Sequence, residues 1–159
     1  MPNTAALFID SPTSKFDKKE VPLREIGSDG VHIKILYSGI CHSDIHQARN
    51  EWFKGIFPMV PGHEIAGEVI SVGSEVSKFK AGDRVGVGTF VDSCRECEYC
   101  VEGRENYCLK GNVQTYNGRH YDKAPTFGGY AKEIVVDQNY VLSIPANLDM
   151  AQAAPLLCA

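Results

Sequence analysis

The chain has 159 residues, 43% of them hydrophobic, and a formal net charge of −4. That length carries one domain with a real core and is short for two. The acidic balance, with no basic run longer than Lys18-Lys19, excludes a nucleic-acid surface, and nothing approaches the roughly 18 apolar residues of a membrane span. The first residues carry neither a charged leader nor a sustained apolar stretch, so no signal peptide is read and a cytoplasmic chain with reduced thiols is expected.

Fifteen glycines and eight prolines, with many Val and Ile, favour strands and turns over a helix bundle. Residues 31–37 put Val31, Ile33 and Ile35 on one face and read as a half-buried strand. Residues 43–49 are polar and suit a short helix. Pro58 and Pro61 bracket an extended approach to His63. Three β-rich pieces follow, 65–72, 76–79 and 84–87, bent at Gly73, Ala81-Gly82-Asp83 and Gly86/Gly88. Residues 130–136 and 140–144 read as further strands, and a helix starts near 149–154 with Asn147 or Asp149 as its N-cap. Even spacing of short strands predicts a small, bent, barrel-like sheet, mainly β with short helices.

All six cysteines divide between two sets. Cys94, Cys97, Cys100 and Cys108 run C-x2-C-x2-C-x7-C in a charged loop, 93–111, with no apolar period. Four thiolates satisfy a tetrahedral Zn²⁺ and leave no open position, so a structural zinc is expected there. A disulfide framework and an iron–sulfur cluster are the weaker alternatives. Cys41 and Cys158, with His63 between them in sequence, would make two thiolates and one imidazole, which leaves a fourth position open as in a catalytic zinc. His63 alone reads better as a core histidine. Its neighbour Glu64 and the cluster Cys41-His42-Ser43-Asp44-Ile45-His46 favour a metal, because they supply ligands and the groups that orient them.

Gly62-His63-Glu64 with Gly67 and Gly73, in the spacing G-H-E-x2-G-x5-G, resembles the signature of zinc-containing alcohol dehydrogenases of the medium-chain dehydrogenase/reductase superfamily. Val76, Gly82-Asp83, Val85, the segment from Gly39 to His46, the cysteine quartet and the segment from Ala154 to Ala159 continue the resemblance. Val60-Pro61-Gly62-His63-Glu64 and Gln114-Thr115-Tyr116-Asn117-Gly118 are most similar to the cinnamyl alcohol dehydrogenase branch. The resemblance implies a GroES-like, partly open β-barrel and aldehyde reduction with NADP(H). It also implies one catalytic and one structural zinc, with Cys41, His63 and Cys158 as the catalytic ligands. Glu64 would be a carboxylate able to approach the metal, and Asp44 would orient His63. Ser43 would bind the substrate oxygen and start a proton relay to His46, and His42 would lie near the cofactor pyrophosphate. Trp52 would line the substrate pocket or serve packing alone. His32 reads as a strand side chain and His120 as a surface loop residue.

The family also carries a Rossmann domain, and no Gly-rich dinucleotide turn is present here. Gly86-Val87-Gly88-Thr89-Phe90-Val91 lacks the third glycine and precedes no helix. The expected organisation is a catalytic domain over 1–150 and, over 151–159, the start of a connection to a missing cofactor domain. The fragment is expected to be inactive alone, and the full-length protein to be a possible homodimer acting on a small aldehyde or primary alcohol. Cys158, next to the last residue, is expected to hold its site less firmly than the quartet holds its own. A non-enzymatic zinc-binding GroES-like interaction module and a zinc hydrolase are the alternatives. Neither explains both cysteine sets as well.

Overall fold

The computed structural model describes residues 2–158. Among these residues nine strands form one five-stranded sheet and two two-stranded sheets, every strand pair is antiparallel, and three short α-helices lie between the strands or after them. The central sheet has the order β8 (Glu133–Asp137), β3 (Gly30–Ser38), β4 (Ile65–Val72), β5 (Arg84–Val87), β9 (Leu142–Ser143). The expected strands over 31–37, 65–72 and 84–87 are therefore present. Val31, Ile33, Ile65, Val85 and Val87 are fully buried in one cluster, because their period-two spacing points them to the same face. β3 pairs with β4 through two register shifts, which bend the sheet without closing it into a barrel among the described residues.

Three expectations need correction. Residues 76–79 form no strand: the Gln138 side-chain oxygen accepts from the backbone N–H of Ser77 and Lys78, while Val76 and Phe79 still pack on the core. Residues 130–132 lie outside β8: the Lys132 carbonyl still accepts from Ile35 N–H of β3, but its N–H donates to the Ala5 carbonyl and Leu7 N–H donates to the Tyr130 carbonyl. Residues 138–140 form a 3-10 helix (Gln138–Tyr140) before β9. The sequence reading also missed the hairpin of β1 (Asn3–Phe8) with β2 (Asp17–Pro22). In β2 only Val21 is buried, so the alternation that marks a strand is absent from Asp-Lys-Lys-Glu. The pair β6 (Phe90–Asp92) and β7 (Val113–Gln114) closes the base of the cysteine loop.

The helices position the functional side chains. α1 (His42–Ala48) starts where expected, with the Asp44 carboxylate bonded back to the Cys41 N–H. α2 (Glu98–Val101) lies inside the cysteine loop. α3 (Met150–Ala153) is capped by Asp149, whose Oδ1 accepts from Ala151 and Gln152 N–H, and it runs into a 3-10 helix (Ala154–Leu157). Such a cap is worth about 1 kcal/mol, enough to set where a helix this short begins. No helix among the described residues is long and apolar enough to cross a membrane.

Candidate metal centres

The quartet is assembled locally. The four sulfurs of Cys94, Cys97, Cys100 and Cys108 lie within 4.8 Å of one another. α2 and a 3-10 helix (Glu105–Tyr107) fold the loop so that its sulfurs point inward. The Cys94 N–H donates to Cys108 Sγ and the Cys97 N–H to Cys94 Sγ, each at 3.4 Å. Burial opposes ionisation of Cys108, but the Cys94 N–H and its neighbouring donors bring that thiol down to about 6. Burial pushes Cys100 up to about 11, and its sulfur lies 3.1 Å from Ser93 Oγ, which also accepts from the Tyr140 hydroxyl at 2.6 Å. Arg95 anchors the loop by pairing with Asp92 at 2.6 Å and Asp137 at 2.9 Å, at the ends of β6 and β8. Four thiols converging without a basic side chain among them, and with amide donors on the sulfurs, fit a tetrahedral Zn²⁺.

The second set is assembled from distant segments. Cys41 Sγ, a ring nitrogen of His63, a carboxylate oxygen of Glu64 and Cys158 Sγ also lie within 4.8 Å of one another. Cys41 precedes α1, His63 and Glu64 lead into β4, and Cys158 ends the 3-10 helix after α3. Cys158 is well placed: its sulfur is 3.7 Å from Cys41 Sγ, and Leu157 before it packs over Gly86 in β5. A Cβ at Gly86 would stand 2.7 Å from Leu157 Cδ1, so a larger residue there would have to push the end of the leucine side chain aside. His63, Glu64 and Asp44 are buried, Cys41 is half-buried and Cys158 is exposed.

Asp44 organises this centre. Its Oδ1 accepts from Gly62 N–H and His63 Nδ1, both at 3.1 Å. Its Oδ2 accepts from Cys41 N–H at 3.0 Å and from the Tyr130 hydroxyl at 3.1 Å. Burial alone would raise the Asp44 pKa, yet the bonds from His63 and Cys41 hold it below the usual carboxylate range. Burial likewise opposes protonation of His63, but Asp44 outweighs it and raises the imidazole. With Nδ1 tied to Asp44, Nε2 is the ring nitrogen left for a metal. Ser43 Oγ donates to Cys41 Sγ at 3.0 Å and lowers that thiol, whereas burial and the adjacent Cys41 push Cys158 up to about 11. Burial also raises Glu64. Two thiols, one oriented imidazole and a nearby carboxylate fit Zn²⁺ with one position to spare.

The remaining sequence candidates fall around this centre. Ser43 and His46 sit three residues apart on one face of α1. The His46 ring stacks between His42 and Trp52 at 5.0 and 4.8 Å, and its Nδ1 is 2.5 Å from Glu51 Oε2. Trp52 is therefore no core packing residue: it is 54% exposed and covers His46. His32 lies on β3, as expected, with Nε2 2.7 Å from Glu133 Oε2. His120 is half-buried rather than on the surface, and burial together with Arg24 lowers it to about 4. Sequence reasoning missed Glu51, Tyr116 and Tyr130. Tyr116 stacks on His63 at 5.8 Å, and the Gly128-Gly129 pair before Tyr130 was its only signal, read as the approach to a strand.

Residues 27–146 match the alcohol dehydrogenase GroES-like domain. The probable formaldehyde dehydrogenase AdhA of Bacillus subtilis is 54% identical over 156 residues, which cover 98% of this chain and 45% of that protein. NADP-dependent alcohol dehydrogenase C of Mycobacterium tuberculosis is 54% identical over 159 residues, 100% of this chain and 46% of that protein. The crystal structure of CAD from Helicobacter pylori complexed with NADP(H) superimposes with a TM-score of 0.94 at 47% identity, over 98% of this chain and 45% of that one. The chain thus spans a little under half the length of the relatives it matches. With the match covering most of its length, the chain belongs to the alcohol dehydrogenase GroES-like domain family.

Proposed function

We propose that this chain is the catalytic domain of a zinc-dependent alcohol dehydrogenase that interconverts primary alcohols and aldehydes with NADP(H). One observation carries the reading: Cys41, His63 and Cys158, from three distant segments, converge with Glu64 on one point, and Asp44 orients the imidazole. A purely structural zinc module needs only the quartet, which the chain also has. The names of its relatives support NADP(H) and an alcohol or aldehyde substrate.

Cys41, His63 and Cys158 hold the catalytic metal, and the quartet holds the structural one. When bound, Zn²⁺ supplies a Lewis acid for the substrate oxygen and NADP(H) carries the hydride. Ser43 would take the alcohol proton during oxidation while passing its own hydroxyl proton on, by way of the nicotinamide ribose when NADP(H) is bound, towards His46, and the reverse would hold in aldehyde reduction. His46, one turn along α1, exchanges that proton with solvent, its Nδ1 held by Glu51. Glu64 stands by as an alternative oxygen ligand that eases exchange at the open position. His42, exposed at the start of α1, meets the cofactor pyrophosphate. Residues 1–150 would form the catalytic domain and 151–159 the start of a connection to a dinucleotide-binding domain like that of its longer relatives.

The reading is tested by joining this chain to the remaining length of a relative and following NADPH oxidation with cinnamaldehyde. The joined protein is expected to turn over and the chain alone not to. Ser43→Ala in the joined protein is expected to lower turnover roughly 100-fold with zinc content unchanged. Turnover by the chain alone, or unchanged turnover in the Ser43 variant, would contradict it.

A further inference from the structure

We infer that Tyr130 is a positioning residue for the open metal site, acting through Asp44 on His63; this rests on the reading of Cys41, His63 and Cys158 as zinc ligands. Asp44 receives four donors, two on each oxygen. Two are backbone N–H groups and one is the ring of His63. Tyr130 supplies the second side-chain donor, and its hydroxyl meets the oxygen opposite the one that holds His63, while the buried Tyr116 hydroxyl lies near Asp44 as well. The terminal torsion of a carboxylate is broad and two-fold, so its plane is set by what it bonds. With both oxygens doubly engaged, the plane of Asp44 is fixed, and with it the ring of His63. A buried carboxylate that loses one donor keeps an unsatisfied lone pair and a freedom to rotate that passes to the imidazole.

Tyr130 is itself held from three sides, which makes it a brace rather than a loose neighbour. Its N–H donates to Pro61 O at 2.9 Å, one residue before Gly62, and its carbonyl accepts from Leu7 N–H at 2.7 Å. The ring packs edge-on to Phe16 at 6.3 Å. Gly62 has φ +105, and a Cβ there would stand 2.7 Å from Tyr130 Cδ1, so glycine before His63 is what admits the tyrosine. The N-terminal hairpin, through Leu7, thereby reaches the metal histidine along Tyr130 and Asp44. Phe at 130 would keep the shape and remove only the hydroxyl.

The test uses the zinc-loaded 159-residue chain and competition with the chromophoric chelator 4-(2-pyridylazo)resorcinol. Cys158→Ser identifies which release belongs to the open site, and the quartet serves as internal reference. Tyr130→Phe is expected to weaken zinc retention at the open site roughly 10-fold, with the quartet's release and the circular dichroism spectrum unchanged. Asp44→Asn is expected to weaken it at least as much, and the double variant to be no worse than Asp44→Asn alone. Unchanged release in Tyr130→Phe, equal weakening of both sites, or additive effects in the double variant would each overturn the role. Absence of any Cys158-dependent zinc in the unsubstituted chain would overturn the metal reading itself, and the role of Tyr130 with it.

Discussion

The two candidate metal centres in this chain are built in opposite ways. The quartet draws all four ligands from one loop, Cys94 to Cys108, and the local backbone supplies its amide donors. The open centre draws Cys41, His63 with Glu64, and Cys158 from segments joined only by the fold. A local site stabilises a piece of chain that cannot order itself, since few of the loop's side chains are buried. A distributed site is instead stabilised by the fold around it, through Asp44 at α1 and Gly86 at β5. On the proposed reading, the first would use metal binding to order a loop, and the second would use the fold to hold a metal.

That contrast is broken most severely at the quartet. Cys108→Ser is expected to remove its zinc and unfold the loop, because structural zinc in small domains contributes on the order of 10 kcal/mol to folding. Trypsin should then cut at Arg95, Arg104 or Lys110 while the central sheet survives; a loop that stays protected would show that the metal is not what orders it. Next in size is Cys158→Ser, with one zinc lost, the quartet's zinc kept and trypsin resistance unchanged, read by metal analysis and proteolysis together. Loss of both metals would erase the distinction between the sites. Asp44→Asn removes no ligand, yet a roughly 10- to 100-fold fall in affinity at the open site alone is expected, measured by chelator competition. The smallest effect belongs to Gly86→Ala. Its new Cβ must push the flexible end of Leu157 aside, so a shift of Cys158 and a few-fold weaker open site are expected, with no change at the quartet.

The same division governs what could be read from sequence. The quartet was legible because spacing within one loop determines whether four sulfurs can meet. Most of the central sheet was legible too, through the alternation of Val31, Ile33 and Ile35 and the pattern of 65–72 and 84–87. The open centre was visible as a set of residue types, but its convergence depends on long-range pairing that no local period records. Tyr130 and Glu51 escaped for that reason: each matters through one contact, to Asp44 and to His46. The β1–β2 hairpin escaped because β2 is charged and exposed apart from Val21. Residues 76–79 read as a β-rich piece between glycines, a pattern that Gln138 overrides by binding their backbone from another part of the chain.

On the proposed reading one small chain holds both a closed and an open zinc site. Metal analysis of the purified chain beside its Cys158→Ser variant tests it most directly. Two zinc ions per chain in the first and one in the second are predicted. One ion in both would contradict the account, because the distant cysteine would then serve no metal.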